Sequence, residues 1–211
     1  MEQTGFKQTV VLVDGDYVDD VAFDLTVNFE RMLMRRIPPV DMARWLVCVA
    51  LDGGVGECPA ESEAKQEVQV IFLHDQDKRK LDQFSPANWA EDIDGKAFRD
   101  ERLGEFLMSA VRKETLAGDK FFVECTEVLL GSQEVQTVIL VPDMGKYGVE
   151  LKDLLAKEGR KAADTSSSSS RKDVTLLAMQ PEAGRGFQSE ILGYSLMHAM
   201  GIRGEELRVE N

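Results

Sequence analysis

Residues Thr9–Val18 read TVVLVDGDYV, and the period of the chain changes inside them. Thr9 to Val13 is short, β-branched and continuously apolar, the pattern of a strand buried on both faces of a parallel sheet. Asp14, Gly15 and Asp16 make the turn. From there Val18, Val21, Ala22, Leu25, Phe29 and Met32 recur at helical spacing, with Arg35 and Arg36 complementing the dipole before Pro38 and Pro39 stop the helix. A strand, a tight turn and a crossover helix in this order predict an α/β fold.

A second apolar run, Val138 to Val141, is followed by Pro142 and Asp143. If both runs are strands of one parallel sheet, Asp14 and Asp143 emerge at neighbouring strand ends, where open α/β sheets bind ligands. Each aspartate also precedes a helical pattern, where Asp is an ordinary N-cap. Capping alone therefore explains either residue singly, and a site requires several such groups to converge. After Asp143, Tyr147, Leu151, Leu154 and Leu155 mark an amphipathic helix, with Gly159 as its stop.

Between these runs, Asp41 to Leu51 fits a short helix capped by Asp41, the preferred reading, or a buried strand over Trp45 to Leu51, and Val68 to Leu73 reads as a strand ending at His74 and Asp75. Residues Gly53 to Glu67 look like an exposed loop, and Asp77 to Asp100 like a packed loop or short helices. Leu103, Phe106, Leu107 and Val111 suggest a short helix. Asp119 caps another, whose Phe122, Cys125, Val128 and Leu129 face the core. Residues 162–172 are serine-rich and read as a flexible loop before strand Val174 to Met179. The last helix spans about Gln188 to Met200 and stops at Gly201; the preceding Gly184, Arg185 and Gly186 read as a plain turn. The whole predicts a three-layer α/β domain over residues 1–211, with a mainly parallel sheet of four or five strands covered by helices on both faces.

The 211 residues, 43% hydrophobic and 30% charged, suit a globular chain with a large core. No stretch has the pattern of a signal peptide or the length of a membrane span, so a cytoplasmic location without membrane association is expected. Three cysteines without a CxxC pair suggest neither a disulfide framework nor a zinc site; Cys48 and Cys125 read as core residues. A net charge of -13 opposes passive binding to nucleic acid. A polyanion partner would need a divalent metal on the carboxylates, or local basic groups such as Arg31, Arg35 and Arg36, or Lys78, Arg79 and Lys80. His74 reads as a strand-end residue and His198 as a structural one in the last helix.

Three acids stand where they can converge: Asp14, Asp143, and Asp119 at the start of the helix leading into the second run. Hard oxygen ligands of this kind suit Mg²⁺ or Mn²⁺. Val11 to Gly15, Gly118 and Asp119 with the following helix, and Val138 to Asp143 followed by Tyr147, Leu151 and Gly159 resemble the NYN domains of the PIN-like nuclease superfamily. That resemblance implies metal-dependent hydrolysis of RNA phosphodiesters, with Asp14, Asp119 and Asp143 as catalytic and metal-holding residues and Asp16 and Glu124 in reserve. The chain departs from the family at Pro142, where a glycine is expected, and at Gly145 and Lys146, where another Asp should precede Tyr147. A cation there would neutralise Asp143 and displace metal.

Two other readings stand beside this one. Asp14, Gly15, Asp16, Tyr17 and Val18 also fit the opening motif of haloacid-dehalogenase-like phosphatases, which implies Asp14 as nucleophile and Asp16 as general acid or base. The third is an α/β scaffold that has lost catalysis and binds a protein or ligand, a reading favoured by Lys146 and the acidic balance.

Overall fold

The computed structural model describes residues 5–58, 66–113, 120–164 and 172–207, with the backbone alone at 161–164. In chain order the elements are β1 (Thr9–Asp14), α1 (Gly15–Leu33), β2 (Val40–Asp41), α2 (Met42–Asp52), β3 (Glu67–His74) and β4 (Phe84–Ser85). A π-helical turn at Trp89–Ile93 leads to β5 (Lys96–Asp100), β6 (Gly104–Arg112), α3 (Phe121–Gly131) and β7 (Thr137–Val141). Then come α4 (Met144–Asp164), β8 (Asp173–Ala178), β9 (Gln188–Ile191) and α5 (Leu192–Ala199), with a 3₁₀ turn at Gly204–Leu207.

The central sheet has seven strands in the order β5-β6-β3-β1-β7-β8-β9, more than the four or five expected. All neighbours pair in parallel except β5 with β6. Counted along the chain, the six parallel strands lie in the order 3-2-1-4-5-6, that of doubly wound dinucleotide-binding folds. The order reverses between β1 and β7, so the crevice at their carboxyl ends is the topological switch point.

Alternation along β1 sets the three layers. Val11 and Val13 point into a core shared with Val18, Ala22, Trp45, Leu46, Leu192 and Leu196, so α1, α2 and α5 cover one face. Val10 and Leu12 point the other way, to Phe122, Leu129, Leu151 and Leu155 of α3 and α4. Val10 to Val13 are each fully buried, which explains why the run is continuous rather than alternating.

The structure corrects several expectations. The segment carrying Leu103, Phe106, Leu107 and Val111 is strand β6 and not a helix: Phe106 and Met108 alternate inward, and Val68 to His74 of β3 pair along it. Without β6 and the unforeseen β5, that side of β3 would present a row of unpaired backbone groups. For the same reason Gln188–Ile191 adds to β8 as a strand, which shortens the last helix to Leu192–Ala199. Gly159 does not end α4. It lies inside the helix where a side chain would come within 2.9 Å of Gly186 Cα, so packing against the turn before β9 demands the glycine.

Smaller corrections follow from burial. Helix α1 ends at Leu33 with Met34 in the left-handed region, so Arg35 and Arg36 lie beyond it. On α3, Thr126 is buried while Val128 is exposed; Cys48 and Cys125 are only half-buried and His198 is exposed. Of the serine-rich stretch, 162–164 continue α4, and 165–171 lie outside the described residues. No helix among the described residues is long and apolar enough to cross a membrane.

Candidate functional site

Asp14 ends β1 at 0% exposure, and each of its oxygens is held. Oδ1 accepts from the Tyr17 amide at 3.3 Å, the capping bond of α1, and from Lys113 Nζ at 2.8 Å. Oδ2 accepts from the Tyr147 hydroxyl at 2.9 Å, with Tyr147 placed by the first turn of α4 and its ring stacked on Phe122. Gly15 follows because Trp89 packs on it: a Cβ there would lie 2.6 Å from the Trp89 ring. That ring in turn stacks on His74, which is buried at the end of β3 with Nδ1 2.9 Å from the Asp75 carbonyl.

Asp16 in the first turn of α1 and Asp19 after it are also buried. Asp16 Oδ2 accepts from the Asp75 amide and from Lys113 Nζ, each at 2.8 Å, while its Oδ1 faces Lys78 Nζ at 3.9 Å. Asp19 accepts from the Asp82 and Gln83 amides and pairs with Lys78 at 3.3 Å. These carboxylates therefore act as struts that pin the loop after β3 onto α1.

Lys113 is the residue that organises the cluster. It follows β6 directly, its amide donates to the His74 carbonyl, and its side chain crosses the end of β3 to reach β1. With neighbouring strands about 4.8 Å apart, this crosses two inter-strand spacings. Nζ also stands 3.5 Å from Asp75. Burial alone would lower the Lys113 pKa, but the charge and hydrogen bonds of Asp14 and Asp16 outweigh it and hold the ammonium above the ordinary lysine value. The same balance, led by Asp19, raises Lys78.

Across the switch point, Asp143 Oδ1 accepts from the Gly145 and Lys146 amides at 2.9 and 3.3 Å and so caps α4. Its other oxygen lies 3.7 Å from the exposed Lys146 ammonium, leaving the carboxylate 18% exposed. Half-buried Tyr17 sits between the two sides. Burial first, then the charges of Asp143, Asp14 and Glu182, raise its pKa above the usual phenol value. Glu182 pairs with Lys152 of α4.

Of the three acids expected to converge, Asp14 and Asp143 flank one crevice and act on one phenol, while Asp119 lies outside the described residues. Glu124 is exposed on α3. The donors present do not fit Mg²⁺ or Mn²⁺. Asp14 accepts from an amide, an ammonium and a hydroxyl, one oxygen of Asp143 is committed to its own helix start, and the ammonium of Lys113 already bridges Asp14 and Asp16. Among the described residues no group of three or more His, Cys, Asp or Glu side chains is arranged to hold an ion.

Residues 3–207 match the model of a family of unknown function. The chain belongs to DUF6621. No curated protein and no solved structure matches it. In this DUF6621 chain the one usable sign of Lys113 in the sequence is a basic pair, Arg112 and Lys113, after the largely apolar stretch from Phe106 to Val111. Reading residues 103–111 as helical hid it, because only a parallel strand delivers its last residue to the rim that Asp14 shares.

Proposed function

We propose that this chain is a catalytically degenerate PIN/NYN-like module that binds a partner protein through a basic segment at the switch-point crevice. One observation carries the loss of catalysis: Lys113 Nζ bridges Asp14 and Asp16 at 2.8 Å to each, so a resident ammonium takes the place a divalent cation would need. The haloacid-dehalogenase-like reading has less support still, since Asp14 is fully buried and has no oxygen open to a phosphate.

The choice of partner rests on the open part of the crevice. Tyr17 presents a half-buried ring in the field of Asp143, Asp14 and Glu182. A half-buried aromatic ring beside the partly exposed Asp143 carboxylate attracts a lysine or arginine side chain by cation–π and charge interactions. A net charge of -13 would steer such a segment towards the chain and repel nucleic acid. A cytoplasmic setting goes with this reading, because Cys48, Cys58 and Cys125 form no disulfide among the described residues.

A cleavage assay with single-stranded RNA and Mn²⁺ tests the central part. The wild type is expected to leave the RNA intact. Cleavage that requires Mn²⁺ and disappears in Asp14→Asn would replace this reading with RNA hydrolysis, for which the placement of Asp14 and Asp143 on either side of the switch point is the supporting observation.

A further inference from the structure

Strand β5 is one edge of the central sheet, and its outer side is open. Glu105 donates its amide to the Gln66 carbonyl beside β3, whereas Met108 accepts from the Gly95 amide beside β5. Backbone direction alternates along a strand, so the even-numbered residues of β6 bond towards β5. Their partners by register are Lys96, Phe98 and Asp100, which leaves the N–H and C=O groups of Ala97 and Arg99 pointing away from the sheet. Among the described residues no strand lies beyond β5, and no hydrogen bond reaches these outward groups. Lys96, Ala97 and Arg99 are exposed, while half-buried Phe98 stacks on Phe106 at 4.7 Å.

We infer that β5 pairs with β5 of a second copy of the chain, antiparallel about a two-fold axis at Phe98, so that two seven-stranded sheets become one. An open edge is a template for such a strand. The axis sets Phe98 opposite itself, Ala97 opposite Arg99 and Lys96 opposite Asp100, the last two pairs each occurring twice as a two-fold requires. Ala97 and Arg99 are then the hydrogen-bonded pairs, and every outward group finds a partner. Phe98 with its copy, and Lys96 with Asp100, fall at the non-hydrogen-bonded positions, where side chains come closest. Asp100 accepts from the Arg102 and Leu103 amides through Oδ1, which leaves Oδ2 for the ammonium of the other copy.

Charge selects both the occupant and the register. A chain carrying -13 repels its own copy over most of its surface, so a self-interface needs a strip that is not acidic. Strand β5 carries two cations and one anion. Lys96 and Asp100 cancel across the axis, and Arg99 stands opposite Glu105 of its own β6. An axis at Ala97 would turn Asp100 towards Asp94, and one at Arg99 would set Arg99 against itself and Lys96 towards Arg102, like charges in both cases. The far edge has no such match, because Glu190 is the one charged residue of β9 and meets no cation there. Exposed ion pairs contribute little energy, so the backbone bonds hold the pair while Lys96 and Asp100 fix its register.

Sedimentation velocity of the full chain over the micromolar range, with amide hydrogen exchange followed alongside, tests the inference. The wild type should shift with concentration towards twice the chain mass of 23.6 kDa, and the Ala97 and Arg99 amides should gain protection over the same range. Ala97→Pro removes an outward donor on an edge strand, where proline is tolerated, and should stay monomeric with an unchanged melting temperature. Lys96→Glu should weaken association several-fold. Adding Asp100→Asn, which keeps an acceptor for the Arg102 and Leu103 amides, should restore most of it. A wild type that stays monomeric, a dimer indifferent to Ala97→Pro, a dimer whose Ala97 and Arg99 amides stay unprotected, or a double variant no tighter than Lys96→Glu alone would overturn the inference.

Discussion

Lys113 and Asp14 are 99 positions apart in the chain, yet Nζ and Oδ1 lie 2.8 Å from one another at the rim of the sheet. The lysine side chain is only 12% exposed and the carboxylate not at all, so each charge depends on the other. Removing one partner of a buried pair leaves an uncompensated charge, which costs about 3–5 kcal/mol. Lys113→Met should therefore destabilise the chain by about that amount, read from urea denaturation, and Asp16 should share in the loss. A change within a few tenths of a kcal/mol would mean that water, not Lys113, compensates Asp14.

Alkaline titration reads the same contact. Lys113 is raised above the ordinary value of 10.5. A group raised in the folded state contributes its full stability below the unfolded value, and that stability is lost as pH climbs from there through the folded value. The loss should thus begin above 10.5, with Tyr17 acting in the same direction from 10.0. Denaturation midpoints followed from neutrality to about pH 11 should fall more steeply for wild type than for Lys113→Met. Parallel declines would remove Lys113 from the account.

Asp19→Ala tests the second strut. It takes the acceptor from the Asp82 and Gln83 amides and the counter-ion from Lys78. Hydrogen bonds to a charged group contribute about 1.5–3 kcal/mol each, so a loss near the lower end of that range is expected after partial solvation of the freed amides. The loop at 78–88 should also become the first site of limited proteolysis. Unchanged cleavage there would show that the loop is held by its apolar residues alone.

Gly15 answers to packing and not to a turn. With Trp89 2.6 Å from a would-be Cβ, Gly15→Ala must push the ring off its place against His74. Forcing extra volume into a packed site costs about 1–3 kcal/mol, and Trp89 fluorescence should shift with it. A spectrum identical to wild type would mean that the ring does not rest on Gly15.

The parts of the fold that could be read from the chain are those in which local period and burial agree. Thr9–Val13 and Val138–Val141 are apolar throughout because helices cover both of their faces, and the helices from Val18 and Tyr147 each keep a single apolar stripe. Edge elements were opaque. Gln188–Ile191 carries too few apolar residues to reveal a strand, the apolar residues of Gly104–Arg112 are spaced in a way that also fits a short helix, and what makes both of them strands is an unpaired neighbour supplied by a distant part of the chain. The candidate site divides along the same line: Asp14 and Asp143 were visible as strand-end acids, whereas Lys113 became visible only once β6 lay parallel beside β3.

Thermal denaturation of the wild type and of Lys113→Ala, each with and without millimolar Mn²⁺, bears most directly on whether an internal ammonium has replaced a metal. The wild-type midpoint should not respond to Mn²⁺. The Lys113→Ala midpoint should be lower and should climb when Mn²⁺ is added, because Asp14, Asp16 and Asp75 are then left facing a vacated cation position. A wild-type midpoint that rises with Mn²⁺, and ceases to do so in Asp14→Asn, would contradict the account.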